Sequence, residues 1–206
     1  MKTYVATGNP GKLRELKALF TRSPLQIVTP RKPLAFDVIE NARNYEGNAL
    51  LKATALATAL RERRMSAAAL ADDSGLEVDA LGGRPGILSA RYGGEEIDWP
   101  SRRAALLQEL RGVPPYRRKA RFVCMLVLIE PHGEPIVARG EVNGYILESE
   151  SGSGGFGYDA LFLHPPAGRS FAALSEKEKN AVSHRARAAE ALLAILRDRS
   201  GQPTMM

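Results

Sequence analysis

Two spacings of apolar residues run along this chain, and the points where one gives way to the other mark its elements. Thr3 to Thr7 reads as a strand, closed by the loop Gly8-Asn9-Pro10-Gly11. Leu13, Leu16, Leu19 and Phe20 then recur at helical spacing, so a helix opens at Gly11 or Lys12. Leu25 to Thr29 reads as a second strand. A longer helix follows from Glu46 to Arg64, with Ala49, Leu50, Ala53, Leu56, Ala57 and Leu60 facing inward. The apolar run Ala67 to Ala71 reads as a buried strand. Leu81-Gly82-Gly83-Arg84-Pro85-Gly86 is a shaped loop. A third helix covers Arg102 to Leu110. Arg121 to Ile129 and Ile136 to Ile146 pair as long strands across the turn Pro131-His132-Gly133-Glu134. The last helix runs from Lys177 to Leu196, with Ser175 as N-cap and Glu178 at the capping-box position. Strands and helices alternate early and a hairpin lies in the middle. The expected class is therefore α/β with a mixed sheet.

The strand at Ala67 to Ala71 stops on Asp72-Asp73-Ser74-Gly75. Acidic groups delivered to a loop at the carboxyl end of a buried strand stand where α/β proteins bind ligands. Paired carboxylates there hold a hard cation or take a proton from water. The same residues also suit an Asx-type turn, and by themselves they do not choose between the two.

Composition narrows the class. The 206 residues are 44% hydrophobic and 25% charged, which is enough for one sizeable core. A single cysteine excludes an internal disulfide and argues for a reducing compartment. Cys124 lies in an apolar strand and reads as a buried, inert thiol. No segment is long and apolar enough to span a bilayer, and the start lacks the apolar region of a signal peptide. A soluble, cytoplasmic protein is expected. The net charge of +6 suits nucleic acid, a membrane surface or a small polyanion. The clusters Arg61-Glu62-Arg63-Arg64, Arg102-Arg103 and Arg117-Arg118-Lys119 read as solvated faces. Aromatics are only 6% and do not interleave with them, as a base-stacking surface requires.

Four further stretches carry candidate chemistry. Thr7-Gly8-Asn9-Pro10-Gly11-Lys12 joins a strand to a helix start, which presents backbone N–H groups to phosphate, with Lys12 as an added charge. It lacks the spacing of a Walker loop. Glu46-Gly47-Asn48 opens the second helix; Glu46 joins Asp73 around a metal or simply complements the helix dipole, and Lys52 faces an anion or solvent. Gly154-Gly155-Phe156-Gly157-Tyr158-Asp159 brings backbone close to a ligand and offers flat faces to a base, or else plugs a core. Lys179 and His184-Arg185 stand near the start of the last helix, as ligand contacts or as surface cations. A metal site, a phosphate loop, an aromatic platform and several cations together fit a nucleoside polyphosphate with Mg²⁺.

The order of these motifs resembles the inosine triphosphate pyrophosphatase family. The matching segments are Ala6 to Lys12, Asn48 to Ala53, Ala71 to Leu76, Leu81 to Ile87 with Ser89 to Tyr92, Gly154 to Asp159, and Ser183 to Arg185. They span the chain from Thr3 to about Leu196. The resemblance implies a single two-lobed domain over residues 1–199, with a frayed tail at 200–206. In it a long curved mixed sheet is flanked by helices and the active site lies in the cleft between lobes. It further implies a cytoplasmic homodimer that uses Mg²⁺ to hydrolyse ITP, dITP and XTP to the monophosphate and pyrophosphate. By position, Asp73 matches the catalytic proton acceptor and Mg²⁺ ligand, and Ser74 a substrate contact. Thr7, Gly8, Asn9, Pro10, Gly11 and Lys12 match the triphosphate loop. Phe156, Gly157, Tyr158, Asp159, Lys179, His184 and Arg185 match nucleotide-binding groups, and Lys52 and Asp72 match supporting positions. One departure stands out. The family's metal-binding Glu directly before Asn-Ala is replaced by Gly47, with Glu46 one residue earlier. That offset rotates a helical side chain by about 100°. Glu46 reaches the metal if the helix begins there; otherwise Asp72 or water takes the place.

Two rivals remain at this level. A Maf-like nucleotide pyrophosphatase would prefer other bases. A basic nucleic-acid-binding module would show salt-dependent affinity independent of Asp73.

Overall fold

The computed structural model describes residues 1–29, 38–94 and 96–201. Among them the order is β1 (Lys2–Ala6), α1 (Pro10–Leu19), β2 (Gln26–Val28), α2 (Tyr45–Glu62), β3 (Ala68–Val78), α3 (Trp99–Glu109), β4 (Lys119–Ile129), β5 (Ile136–Ile146), β6 (Phe162–His164), β7 (Arg169–Ser170), α4 (Glu176–Val182) and α5 (His184–Arg199). The strands form one mixed sheet of seven, ordered β2-β1-β3-β4-β5-β6-β7.

The chain divides into two compact units. The first takes residues 1–73, 124–140 and the chain from Arg185 onward. Here β1 pairs in parallel with β2 and with β3, in register Thr3 to Ala68 and Ala6 to Ala71. Leu16 and Phe20, one turn apart at the end of α1, pack with Leu70, Leu126 and Leu128 of the strands and with Ala188 and Leu192 of α5. Each such leucine withdrawn from water contributes roughly 1.5–3 kcal/mol. The helix stripe on α2 is narrower than expected. Ala49, Ala53, Leu56 and Leu60 are buried, whereas Leu50 is exposed. Asn9 and Asn44 cap α1 and α2 with their side chains.

The second unit comprises residues 74–123 and 141–184. Antiparallel pairs β5–β6 and β6–β7 set Ile146 opposite Phe162 and Leu163 opposite Ser170. Both β6 and β7 are only a few residues long, which is why no alternation announced them. Phe122, Phe162 and Phe171 form its aromatic centre, with ring centroids 4.6, 4.9 and 6.0 Å apart.

Three expectations from sequence change. The strand carrying Asp72 and Asp73 does not end there: β3 continues through Ser74 and Gly75 to Val78. Charged side chains stay in a strand interior when partners neutralise them, and both carboxylates have such partners. The last helix is two helices, because Ser183 turns to ψ 160 between α4 and α5. A serine favours such an N-cap geometry over a helix interior. The capping box of Ser175 and Glu178 is present as expected. Arg102 and Arg118 are not solvated. Arg102 is buried and donates to the carbonyls of Tyr92, Gly94 and Ile97. Arg118 does the same for Leu110, Val113 and Leu147. Five guanidinium donors suit one arginine to closing loops in this way. The tail from 202 onward lies outside the described residues.

Candidate active site

Successive residues of a strand point to opposite faces, so Asp72 and Asp73 have different company. Asp72 is 1% exposed. Its Oδ2 accepts from Arg185 Nε at 2.7 Å and from the Cys124 thiol at 3.2 Å, while Oδ1 meets Lys12 Nζ at 2.5 Å. Burial pushes the Asp72 carboxyl up, but Arg185 and Lys12 outweigh it and hold it well below the usual range. The Cys124 thiol is buried and pushed up, first by burial and then by Asp72, so it is inert. Arg185, 1% exposed, also binds Glu15 of α1. Arg185, expected among the nucleotide contacts, joins two carboxylates inside the first unit.

Asp73 faces α2. Its Oδ1 accepts from Lys52 Nζ at 2.9 Å, and the same ammonium donates to Glu40 Oε2 at 2.9 Å. Its other oxygen, Oδ2, is buried and makes no hydrogen bond among the described residues. Burial raises the Asp73 carboxyl above its ordinary value, against the pull of Lys52. Lys52 is pulled down by burial, yet Asp73 and Glu40 carry it above its ordinary value.

Glu40 is the site residue that sequence reasoning missed. Its approach depends on Gly47. A Cβ at position 47 would stand 2.6 Å from Ala42 Cβ and 3.0 Å from Asn44 Oδ1. The Ala42 N–H donates to Asn48 Oδ1 at 3.0 Å and pins that segment on the start of α2. The missing side chain at 47 thus lets residues 40–42 lie close, and Glu40 reaches Lys52. Glu46 is exposed on the first turn of α2, and the Lys52 ammonium that holds Asp73 donates to Glu40. The visible signal was the exchange of Glu for Gly at 47 with a glutamate seven residues earlier. Among the described residues no three acidic, His or Cys groups gather as a metal cage. Mg²⁺ does not need one, because it keeps waters and binds through one or two carboxylates plus substrate phosphates. Asp73 Oδ2, buried without a donor, fits that demand.

The loop from Thr7 to Lys12 is ordered from within. Asn9 Oδ1 accepts from the Gly11 and Lys12 N–H groups at 2.8 and 3.2 Å, and Asn9 N–H donates to Thr7 Oγ1 at 3.1 Å. The helix-start amides expected to face phosphate are therefore occupied by the cap. Lys12 Nζ, beside Asp72, is the charge that remains. Gly8 is exposed, and a Cβ there would meet nothing within 4 Å.

The second unit holds the other motif residues. Asp159 Oδ2 accepts from the Phe156 N–H at 2.7 Å and from Lys179 Nζ. The Lys179 ammonium lies 4.8 Å from the Phe156 ring centroid, a cation–π contact. Gly155 allows this. It has φ 67, and a Cβ would stand 2.1 Å from Asp159 Oδ2. Phe156 stays half-buried, with Gly157, Tyr158 and Asp159 buried behind it. Tyr158 donates to Ser89 O at 3.1 Å and meets Trp99 edge-on at 5.4 Å. His184 stacks on Phe122 at 4.7 Å. Ser74, on β3, is half-buried.

The chain's residues 3–195 match the model of the Ham1 family. The chain belongs to the Ham1 family. A relative from Thermus thermophilus named dITP/XTP pyrophosphatase is 45% identical over 206 residues, covering 96% of this chain and 93% of its own. A Geobacter sulfurreducens protein of the same name is 44% identical over 97% of this chain and 96% of its own. The Ham1 protein of Staphylococcus aureus has the same fold, with a TM-score of 0.81 and 37% identity over 97% of this chain and 100% of that one. A Mycobacterium abscessus structure titled nucleoside-triphosphatase, dITP/XTP pyrophosphatase, gives a TM-score of 0.68 at 41% identity, covering 94% and 99%. The Ham1 membership agrees with the motif resemblance. No helix among the described residues is long and apolar enough to cross a membrane.

Proposed function

We propose that residues 1–199 of this Ham1 chain form a nucleoside triphosphate pyrophosphatase that hydrolyses dITP, XTP and ITP to the monophosphate and pyrophosphate. The observation that carries this reading is Asp73, with one oxygen on Lys52 and the other buried and without a hydrogen bond among the described residues. The names of relatives that are 44–45% identical support the substrate class.

Asp73 and Glu40 would hold Mg²⁺; the ion supplies charge neutralisation on the polyphosphate when bound. The chain's own groups do the rest. Asp73, with its raised carboxyl, positions water and takes its proton for attack on the α-phosphorus. Lys52 keeps Asp73 and Glu40 in register. Lys12 contributes positive charge to the phosphate chain, and Asp72 with Arg185 positions it. Thr7 to Gly11 and Ser74 line the phosphate side. Phe156 offers its ring to the base, while Gly157, Tyr158 and Asp159 set that ring with Lys179. His184 reads the 6-keto edge. The enzyme is read as a cytoplasmic homodimer that binds nucleotide, with no nucleic-acid partner. Glu40 replaces Glu46 as the second carboxylate in this reading.

Pyrophosphate release from dITP, XTP, dUTP, TTP and GTP, each with and without Mg²⁺, tests it. Preferred turnover of dITP and XTP that needs the ion is expected. Preference for dUTP or TTP would transfer the chain to the Maf-like reading, and salt-dependent nucleic-acid binding that survives Asp73→Asn would favour the binding module.

A further inference from the structure

The arginine run that ends α2 takes no part in the groups above. Arg63 is the C-cap. The Met65 N–H reaches back to Leu60 O at 2.9 Å and the Arg64 N–H to Arg61 O at 2.9 Å, which closes the helix. Arg64 lies at φ 54, the one non-glycine residue in the left-handed region among the described residues. Glycine usually holds this position, because an L side chain there is strained. An arginine in its place keeps a strained backbone to put a guanidinium at one spot.

That spot borders a cavity of about 250 Å³ in the first unit, lined by Arg61, Arg64, Ser66 and His132. Leu60 and Ile129 supply an apolar floor, and Glu130 is the one carboxylate in the lining. With two arginines against one glutamate, the lining carries a net positive charge. Arg102 and Arg118 donate to backbone carbonyls, but Arg61 and Arg64 are exposed, and no ion pair to either forms among the described residues. The last carbonyls of α2 repel anions, so a lone arginine would do no more than balance them. A second one, held by a strained turn, goes beyond that.

The geometry points to a second ligand site here, one that takes a small organic phosphate. The anionic head meets Arg61 and Arg64, whose planar donors match phosphate oxygens, with His132 and Ser66 as further donors. The apolar body lies over Leu60 and Ile129. The volume falls below the roughly 300–1,000 Å³ of sites for drug-sized ligands, so a fragment-sized ligand fits and a nucleoside triphosphate does not.

Phenyl phosphate is the probe, followed by amide chemical shifts of the full chain. Saturable shifts at residues 57–67 and 129–132 are expected, with inorganic phosphate and phenol each binding at least about tenfold more weakly. Arg64→Gly removes the guanidinium and relaxes the turn. It is expected to hold or raise Tm, leave dITP turnover unchanged and weaken phenyl phosphate about tenfold. Arg61→Ala should weaken it similarly. Shifts confined to other residues, equal binding of phenol or of inorganic phosphate, or unchanged affinity in Arg64→Gly would each overturn the site.

Discussion

The two units solve the problem of buried charge differently. The first gathers Lys12, Lys52 and Arg185 with Asp72, Asp73, Glu15 and Glu40 around one strand and three helices. The second buries rings, and places a buried ion pair, Lys179 with Asp159, against Phe156 and Phe171. Fixed charges suit a reaction in which charge develops on phosphate oxygens, since they need no reorganisation at the moment of reaction. Ring faces suit a base, because any base has a face to stack. Within the first unit the neighbouring aspartates also diverge. Asp72 has both oxygens engaged, whereas Asp73 keeps one oxygen without a donor among the described residues.

The sharpest way to break this contrast is Asp73→Asn. Turnover of dITP should fall by at least about 10³-fold with KM changed little, because the lost group acts on water and metal. A variant that keeps wild-type kcat removes Asp73 from the chemistry. Next in size is Arg185→Met, which leaves Asp72 buried with Lys12 as its remaining cation among the described residues. It should destabilise the protein by about 3–5 kcal/mol in urea unfolding. The double variant Arg185→Met/Asp72→Asn should lose less than the sum of the singles, since the two groups form one unit. Additive losses would show that they act independently. Phe156→Ala, in the second unit, is predicted to raise KM for dITP roughly tenfold while kcat holds, in line with about 1–3 kcal/mol per stacked base. A kcat effect without a KM effect would assign Phe156 to the chemistry instead.

The smallest expected effect is in pH, and it separates the units by sign. The Asp72 carboxyl is depressed in the fold. Its stabilisation is therefore full above the unfolded value near about 4 and is lost as pH falls through the folded value. Tyr92 of the second unit is pushed up to about 12, by burial and by its hydrogen bond to Glu109. Its contribution is full below the unfolded value near about 10 and is lost as pH rises through the folded one. Tm measured across pH should decline at both ends. Arg185→Met should flatten the acid limb, and Tyr92→Phe the alkaline limb.

Much of this was legible from local pattern. The helices α1, α2 and α3, the long strands β4 and β5, and the Ser175–Glu178 cap all follow from spacing within a few turns. β6 and β7 are too short to show a period. The site motifs were readable as residue types, yet their pairings were not. Glu46 stood out because it lies one residue from the position matching the family's metal-binding Glu, and Glu40 was not singled out. Gly47 lets residues 40–42 approach the start of α2, and the fold decides that this approach brings Glu40 to Lys52.

The sequence by itself determined the α/β class, the element order and the chemical kinds of group available. Which cation each aspartate meets was decided only by the tertiary structure. Arg185 meets Asp72 across 113 residues, and Lys52 meets Asp73 across 21. The physical reason is that a carboxylate's role depends on its partners and its burial, and both are set by segments that become neighbours only on folding.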